Sequence, residues 1–382
     1  MKLILTAILL TTLGIGSICA QDTYFPPANE WEVKKPTDFN IDETKLNLAV
    51  EFAQENEYTE SRDLRLAIIE GFKKEPFHKI AGPTKKRGGP AGIILKDGYI
   101  VAQWGAPQTV DMTFSVTKSF LSTTALLALE EGLIANATEP VKNYVWDNTY
   151  QGKHNSQITW KHLLQQTSDW SGELWGGLDW ADRPPNEGDL DDWKNRKLHT
   201  PGTVFEYNDV RVNLLAYSLL QVWRKPLPQV LKDKIMDPIG SSTTWRWFGY
   251  DNAWVDLDGL KMQSVTGGGH SGGGMFINTL DMARFGLLFE NNGMWKGKQL
   301  LAEEFIKDAV ESSAPNPNYG YMWWLNKPGN RHWKGLSENI FYAAGFGGNF
   351  IVIDQEKNLV IVTRWLEPSQ IETFINKVYN AL

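Results

Sequence analysis

The chain has 382 residues, of which 42% are hydrophobic, with a formal charge of −7 and one cysteine, Cys19. This length is sufficient for a large hydrophobic core, and a single cysteine excludes a network of disulfides within the chain. The net charge is negative and no basic stripe is present, so nucleic acid is not an expected partner.

Residues 1–20 have the pattern of an export signal. Lys2 precedes an apolar run, and Ala20 is a small residue at a suitable cleavage position. The run is too short for a stable membrane span, so we expect a secretory signal peptide that is cleaved after Ala20. Cys19 is an alternative site for lipid attachment, although Ile18 is larger than the residue that usually precedes such a cysteine. The pattern predicts a periplasmic or secreted protein with no stable membrane span after cleavage.

The following segments predict an arm, helices and a strand pair, in that order. Residues 21–40 are rich in proline and aromatic residues, which indicates an extended N-terminal arm. Residues 41–80 have helical periodicity, and residues 90–104 predict two strands around a turn at Asp97-Gly98.

A matching strand pair is predicted near the C-terminus. It comprises residues 349–353 and 359–363, and a final helix is expected over residues 369–382. Strands at both ends of the chain, with helices between them, indicate one sheet that both termini complete. The expected fold class is therefore α+β: an antiparallel sheet flanked by helices, with a mostly helical inserted lobe at residues 136–280.

A serine and a lysine stand three residues apart at the start of a predicted helix. Residues 114–132 have apolar side chains at helical spacing and end in a glycine, which places Ser115 in the first turn. Lys118 shares its face and can reach the serine hydroxyl, while free N–H groups at the helix start suit an oxyanion. A serine and a lysine at this spacing also occur by chance. A lysine acts as a base only when burial or a neighbouring cation lowers its pKa from about 10.4 toward neutrality.

Two later segments can complete such a site. Tyr207 precedes the apolar run 210–222, which puts a phenol on a loop before a helix, where it could relay a proton. Residues 340–353 predict a strand interrupted by glycines, which allows a backbone to approach a substrate closely.

These segments, in this order, resemble the serine β-lactamase and penicillin-binding-protein superfamily. The likeness is nearest to its class C-like serine hydrolase branch, which contains esterases, D-aminopeptidases and 6-aminohexanoate-oligomer hydrolases. It extends from about residue 90 to the C-terminus. The resemblance implies one two-lobed hydrolase domain at residues 41–382, with the active site in the cleft between the lobes.

The resemblance also implies a role for individual residues. Ser115 would be the nucleophile, Lys118 the base and Tyr207 the proton relay, and the oxyanion hole would use the backbone N–H groups of Ser115 and Phe346. The residues expected to bind the substrate are Asn208, Asp209, His270, Ala344, Gly345 and Trp170.

Two positions depart from the family pattern. Asp209 stands where relatives have an asparagine, so a carboxylate that only accepts hydrogen bonds replaces an amide that donates and accepts them. Either Asp209 holds Lys118 as a cation, or Asn208 takes over the role of that amide. The third motif is Ala343-Ala344-Gly345, without the lysine that would bind the carboxylate of a penicillin. Its absence removes a contact worth roughly 1.5 to 3 kcal/mol, so we expect poor penicillin turnover.

A rival nucleophile is Ser271, because residues 269–273 match Gly-x-Ser-x-Gly. The α/β-hydrolase elbow requires a strand before that serine and a helix directly after it. Residues 256–265 are a poor strand, and glycines follow Ser271, so a loop lining the cleft is the favoured interpretation.

Other polar and aromatic clusters carry less information. No metal-binding motif is present, so we expect neither a catalytic metal nor a cofactor. An acidic run is expected to be a solvated face; it consists of Asp179, Asp182, Asp189, Asp191 and Asp192. A tryptophan cluster is either core packing or an aromatic wall of the cleft; it consists of Trp170, Trp175, Trp180 and Trp193.

Two classes of function remain open. One is a hydrolase that forms an acyl-enzyme on Ser115, most simply an esterase for carbohydrate or small esters, otherwise an amidase or peptidase for short D-peptides or amide oligomers. The other is a penicillin-binding-like sensor or binding module without turnover. The set of Ser115, Lys118 and Tyr207 favours the enzyme, with a small ester or amide as its substrate.

Overall fold

The computed structural model describes residues 23–382, so the predicted signal peptide lies outside the described residues. Within this range no helix combines the length and the apolar character needed to cross a membrane.

The helices are α1 (Glu43–Glu55), α2 (Leu64–Gly71), α3 (Thr117–Glu130), α4 (Gly152–Asn155), α5 (Trp160–Leu164), α6 (Leu190–Lys194), α7 (Asp209–Trp223), α8 (Leu227–Leu231), α9 (Thr279–Glu290), α10 (Glu303–Ala309) and α11 (Ile371–Tyr379). The strands are β1 (Ala91–Lys96), β2 (Tyr99–Trp104), β3 (Asp111–Met112), β4 (Glu173–Leu174), β5 (Gly177–Leu178), β6 (Arg246–Leu257), β7 (Leu260–Val265), β8 (Gly274–Ile277), β9 (Met294–Trp295), β10 (Lys298–Gln299), β11 (Trp324–Leu325), β12 (Phe341–Gly345), β13 (Asn349–Asp354) and β14 (Leu359–Arg364).

The main sheet has six strands in the order β11-β12-β13-β14-β1-β2. Strands β1 and β14 pair antiparallel, with Ile93 opposite Val362, so the two termini complete one sheet as predicted. Strands β12 and β13 form a hairpin in which Ala344 is opposite Phe350. This hairpin carries the glycine-interrupted segment, and it ends at the cleft.

Alternate residues of the central strands face two separate cores. Ile93 and Ile351 belong to the core that contains α3 and α9. Ile94 and Val352 belong to the opposite core, where α1 and α11 pack on the sheet. Full burial of each such side chain contributes roughly 1.5 to 3 kcal/mol. The two-sided burial explains why these strands are continuously apolar rather than alternating.

The inserted segment contains more strand than its sequence predicted. Its helices include α7, which packs against α3. Residues 246–277, however, form three strands that join β3 in a second antiparallel sheet, in the order β3-β8-β6-β7. The assignment of residues 256–265 as a poor strand is therefore wrong, since β7 lies there. Its exposed side chains, such as Leu260 and Lys261, conceal the two-residue periodicity. The fold class remains α+β.

Residues 23–35 run along the edge of the main sheet. The Lys34 N–H donates to the carbonyl of Ile100 (2.9 Å), and the Arg284 guanidinium on α9 donates to the carbonyls of Pro26 and Pro27. The arm thus contacts both the sheet edge and the helix that covers it.

Candidate active site

Ser115 lies at the entry to α3. Phe114–Val116 form one 3₁₀ turn that leads directly into the helix, and Phe114 has a φ of +49°, in the left-handed region. Ser115 is half-buried at the floor of a cleft, and its Oγ accepts a hydrogen bond from Lys118 Nζ at 2.8 Å. The structure thus brings together the serine and lysine whose spacing suggested a site.

Lys118 is buried and held by a carboxylate. Its Nζ lies 2.5 Å from Asp209 Oδ1, and only 1% of its side chain is exposed. Burial alone lowers the pKa of Lys118, but the negative charge of Asp209 raises it, and the net result is a pKa above the ordinary value. In the resting site Asp209 therefore keeps the Lys118 ammonium charged, which is one of the two alternatives that the sequence left open for Asp209.

The glycine run places its backbone against this ion pair. A Cβ atom on Gly268 would lie 2.2 Å from Asp209 Oδ1 and 2.5 Å from Lys118 Nζ. No side chain fits between residue 268 and the pair, so glycine allows the close approach of this loop.

Asp209 has further cationic neighbours. Arg183 Nη2 lies 2.7 Å from Asp209 Oδ2, and His270 Nδ1 lies 3.3 Å from the same oxygen. Burial raises the pKa of Asp209, but Lys118 and Arg183 lower it to well below its usual range. Asp209 is therefore an anion that several positive groups hold in place.

His270 connects Asp209 to another carboxylate. Its Nε2 lies 2.6 Å from Glu75 Oε2, and its exposed fraction is 7%. Burial lowers the pKa of His270, whereas the charge of Asp182 and the contacts with Asp209 and Glu75 raise it to about 9. His270 borders the cleft, and its ring contacts these carboxylates.

Two groups of side-chain atoms in this network have metal-ligand chemistry, since carboxylate and imidazole atoms lie within 4.8 Å of one another. One group consists of Glu75, His78 and His270, and the other of Asp182, Asp209 and His270. Because Lys118 and Arg183 already face Asp209, we interpret the network as ion pairs.

Asp182 and Asn208 organise the start of α7. The backbone N–H groups of Asp209 and Val210 donate to Asp182 Oδ2. Asn208 caps the helix, since its Oδ1 accepts from the Arg211 N–H, and its Nδ2 donates to the Asp179 carbonyl at 2.8 Å. Asn208 is completely buried, so the prediction that it contacts the substrate is wrong. The sequence left open whether Asp209 holds Lys118 or Asn208 takes the role of the amide. In the structure, Asp209 holds the lysine.

Tyr207 lies beside the ammonium group and forms part of the cleft wall. Lys118 Nζ is 4.8 Å from the centre of its ring, and Arg183 Cζ is 5.2 Å from it. The ring stacks on Trp324 with centroids 5.7 Å apart. Tyr207 therefore contacts both cations and borders the open cleft.

The end of β12 approaches Ser115 closely. A Cβ atom on Gly345 would lie 2.3 Å from the Thr113 carbonyl oxygen and 3.3 Å from the Ser115 nitrogen, so only glycine permits this approach. Phe346 follows, and its ring packs on Phe114 at 5.1 Å. The backbone of this segment therefore stands beside the serine, where the resemblance places the oxyanion hole.

The cleft has a volume of about 1050 Å³. Ser115, Tyr207, Asp209, Ala344 and Gly345 all border it. Other bordering residues were not suggested by the sequence; they include Phe72, Arg183, Trp324 and Arg331.

The tryptophan cluster divides between core and surface cavities. Trp170 is 3% exposed, and its Nε1 donates to the Thr149 carbonyl, so the prediction that it binds substrate is wrong. Trp175 borders a smaller cavity beside His270, and Trp180 and Trp193 border another of about 450 Å³ next to Arg183. Packing in the core accounts for Trp170, because a large ring gains most when it leaves water completely.

The acidic run is also divided. Asp179 and Asp182 are buried, which contradicts the expected solvated face, and each pairs with an arginine. Asp189, Asp191 and Asp192 are exposed around the start of α6, where Asp189 and Asp192 form a capping box.

Ser271 lies in the glycine loop between β7 and β8, away from a helix start, since the next helix begins at Thr279. Its Oγ is 3.4 Å from His78 Nε2. The segment lacks the strand-to-helix turn of a nucleophile elbow.

Comparison with known proteins identifies one family over most of the chain. The sequence pattern of the family described as Beta-lactamase matches residues 77–363. "Putative penicillin-binding protein PbpX" of Bacillus subtilis (strain 168) is 27% identical over 285 residues, covering 68% of each protein.

Solved structures share the fold at low identity. A family VIII carboxylesterase has a TM-score of 0.58 at 15% identity, covering 89% of this chain and 97% of its own. A "Putative 6-aminohexanoate-dimer hydrolase from Bacillus anthracis" has a TM-score of 0.55 at 18% identity, covering 93% of this chain and 97% of its own. At these identities the likeness establishes the fold alone.

Proposed function

Because the chain belongs to the beta-lactamase family, we propose that it is a secreted serine hydrolase that cleaves an ester or amide through an acyl-enzyme on Ser115. The observation that carries this proposal is the 2.8 Å contact between Ser115 Oγ and Lys118 Nζ at the floor of an open cleft. The related carboxylesterase and 6-aminohexanoate-dimer hydrolase support ester and amide substrates respectively.

The raised pKa of Lys118 changes the role that we assign to it. As a cation, Lys118 donates to Ser115 Oγ and stabilises negative charge that develops on this oxygen during attack. Tyr207 then acts as a relay: its oxygen receives the Ser115 proton, and its own proton passes to the leaving group. The Ser115 oxygen forms a bond to the acyl carbon as the bond to the leaving group breaks.

The acyl-enzyme is then hydrolysed by the reverse relay. A water molecule gives a proton to the Tyr207 oxygen, and the oxygen of this water attacks the acyl carbon. The bond between the acyl carbon and the Ser115 oxygen then breaks, and Tyr207 returns a proton to that oxygen. In both steps the backbone N–H groups of Ser115 and Phe346 bind the carbonyl oxygen as it gains charge. Gly345, which lets β12 approach Ser115, supports this assignment.

Esters are the preferred substrates in this proposal. The lysine of the family's third motif, which would bind a carboxylate of the substrate, is absent. Ala343 stands at its position, and the Ala343 side chain belongs to the core under β12. An amide of an amine oligomer or short D-peptide is the second candidate, favoured by the size of the cleft. The periplasmic or extracellular location rests on the pattern of residues 1–20.

The experiment compares three proteins on p-nitrophenyl acetate: the wild type, Ser115→Ala and Ser271→Ala. We expect Ser115→Ala to lower kcat by roughly 10⁴-fold or more, because the covalent route is lost, and Ser271→Ala to keep most of the activity. A fluorophosphonate should label Ser115. A wild-type protein that neither reacts with this reagent nor turns over any ester would instead be a binding protein.

A further inference from the structure

Two histidines and a carboxylate beside the cleft form a cluster that the proposed mechanism does not use. Glu75 and His78 lie on the segment that follows α2, and His270 lies in the glycine loop between β7 and β8. One carboxylate oxygen of Glu75 and one ring nitrogen of each histidine lie within 4.8 Å of one another. The side chains of Glu75 and His270 are buried and His78 is half-buried. Three atoms that can bind a metal ion therefore converge on one sheltered point.

This cluster differs from the ion pairs around Asp209, because no lysine or arginine side chain faces its carboxylate. Among residues 23–382, Glu75 has no lysine or arginine side-chain nitrogen within 4.0 Å of its carboxylate, and its ionic partner is His270 Nε2 at 2.6 Å. A proton joins these two groups, and a metal ion competes with protons for such ligands. Lys118 and Arg183 thus account for the charge of Asp209 but not for that of Glu75.

Hydrogen bonds orient all three side chains, as they do for metal ligands in most proteins. His270 directs its other ring nitrogen, Nδ1, to Asp209 Oδ2 at 3.3 Å. The second carboxylate oxygen of Glu75, Oε1, accepts a hydrogen bond from the Arg183 backbone N–H at 3.2 Å. His78 Nε2 lies 3.2 Å from the His270 carbonyl oxygen, which fixes this ring as well. A carboxylate behind a histidine is the arrangement found in carboxylate–histidine–zinc triads.

Backbone contacts join the two loops, and a small cavity reaches the cluster. The N–H groups of Ala81 and Gly82 both donate to the Ser271 carbonyl, at 2.8 and 3.0 Å. Glu75, His78 and His270 all border a cavity of about 70 Å³. This volume is sufficient for water, so an ion has an entry path and a water molecule as its fourth ligand.

We propose that Glu75, His78 and His270 bind a divalent transition-metal ion, with Zn²⁺ as the best match, and that this ion cross-links the segment after α2 to the glycine loop. Imidazole and carboxylate groups are zinc ligands in proteins, whereas Mg²⁺ and Ca²⁺ prefer oxygen ligands alone. Zinc–ligand distances of about 2.0–2.2 Å require the contact between His270 and Glu75 to open slightly, and the proton between them passes to solvent. The role of the ion is structural, so this inference goes beyond the proposed function and does not depend on it.

The test titrates ZnCl₂ into the untagged protein, stripped of metals with EDTA, by isothermal titration calorimetry. We expect one ion to bind per chain and the Tm to rise as Zn²⁺ is added, because an ion that binds only the folded state stabilises it. The same concentration of Mg²⁺ should leave the Tm unchanged. Co²⁺ should produce the intense visible absorption of a four-coordinate site, which reports the ligand set of the wild type without any substitution.

Three variants locate the ion. His78→Asn and Glu75→Gln each remove one ligand, and His199→Asn is the matched control. His199 Nδ1 also lies 3.4 Å from a carboxylate oxygen, that of Asp169, but within residues 23–382 no third ligand joins this pair. We expect the affinity for Zn²⁺ to fall by roughly 100-fold or more in the first two variants and to be unchanged in the control. Circular dichroism verifies that each variant is folded.

The contrary outcomes are equally specific. Wild-type affinity for Zn²⁺ in folded His78→Asn or Glu75→Gln would overturn the inference and place the ion elsewhere, for example at Asp182 and Asp209. No saturable binding at millimolar Zn²⁺, or a Co²⁺ spectrum like that of the hydrated ion, would also overturn it. None of these measurements involves turnover, so failure of the hydrolase proposal would be recognised separately by the absence of Ser115-dependent ester hydrolysis.

Discussion

Replacement of Asp209 by asparagine tests how the site controls Lys118. The substitution keeps the shape of the side chain and an oxygen that faces Lys118, but removes the charge that lies 2.5 Å from Nζ and 2.7 Å from Arg183 Nη2. Burial then lowers the pKa of Lys118 without opposition. In our mechanism Lys118 must be charged, so activity should disappear at lower pH in Asp209→Asn than in the wild type.

The cost in stability can be judged from the same contacts. Removal of one partner from a buried ion pair costs roughly 3–5 kcal/mol, and we expect the lower end, about 3 kcal/mol, since the asparagine amide retains an acceptor and Arg183 retains Asp182. The pKa of Asp209 is depressed in the folded state, so its contribution is present above about pH 3.8 and is lost as pH falls through the folded pKa. The wild type and the variant should therefore differ at pH 7 and converge in acid.

The assay is kcat against pH with p-nitrophenyl acetate, with the rate of Ser115→Ala subtracted at each pH. Because Asp209 raises the pKa of Lys118 above its ordinary value, wild-type activity should persist to a higher pH than the activity of Asp209→Asn. Asp169→Asn is the matched control: Asp169 is equally buried and lies 2.8 Å from Arg211 Nη2, outside the cleft. It should lose stability but keep the wild-type pH profile. A faster Asp209→Asn enzyme at neutral pH, with a rate that rises with pH, would refute this reasoning and make Lys118 a neutral base.

Three further predictions concern the neighbours of Ser115. Gly268→Ala places a methyl group against Lys118 and Asp209, so kcat should fall by roughly 10²-fold; an unchanged kcat would show that this contact is not needed. Tyr207→Phe removes the relay, and we expect kcat to fall by roughly 10²- to 10⁴-fold with little change in KM, which steady-state kinetics would measure. Benzylpenicillin should be a poor substrate where phenyl acetate is a good one, since Ala343 replaces the carboxylate-binding lysine; rapid loss of β-lactam absorbance at micromolar KM would contradict this.

The sequence predicted those parts of the molecule that depend on local spacing. The two strand pairs could be identified because their apolar runs are short and bounded by turn residues, and the main sheet followed from their positions in the chain. Ser115 and Lys118 could be paired because three residues on one helical turn fix their distance.

Features that depend on distant segments could not be predicted in this way. The raised pKa of Lys118 arises from Asp209, 91 residues away, and from burial that the sequence does not display. Arg183 stands in an irregular loop, where nothing in its neighbours indicates the cleft. Trp170 was placed wrongly because composition does not distinguish a tryptophan in the core from one in a cleft wall.

The central claim is that Ser115 becomes acylated during turnover. Rapid quenching of the reaction with p-nitrophenyl acetate, followed by digestion and mass spectrometry, measures this directly. We predict an acetyl group on the peptide that contains Ser115, formed as fast as the first equivalent of p-nitrophenol is released, and none in Ser115→Ala. Turnover with the acetyl group on Ser271, or undiminished turnover in Ser115→Ala, would contradict the account.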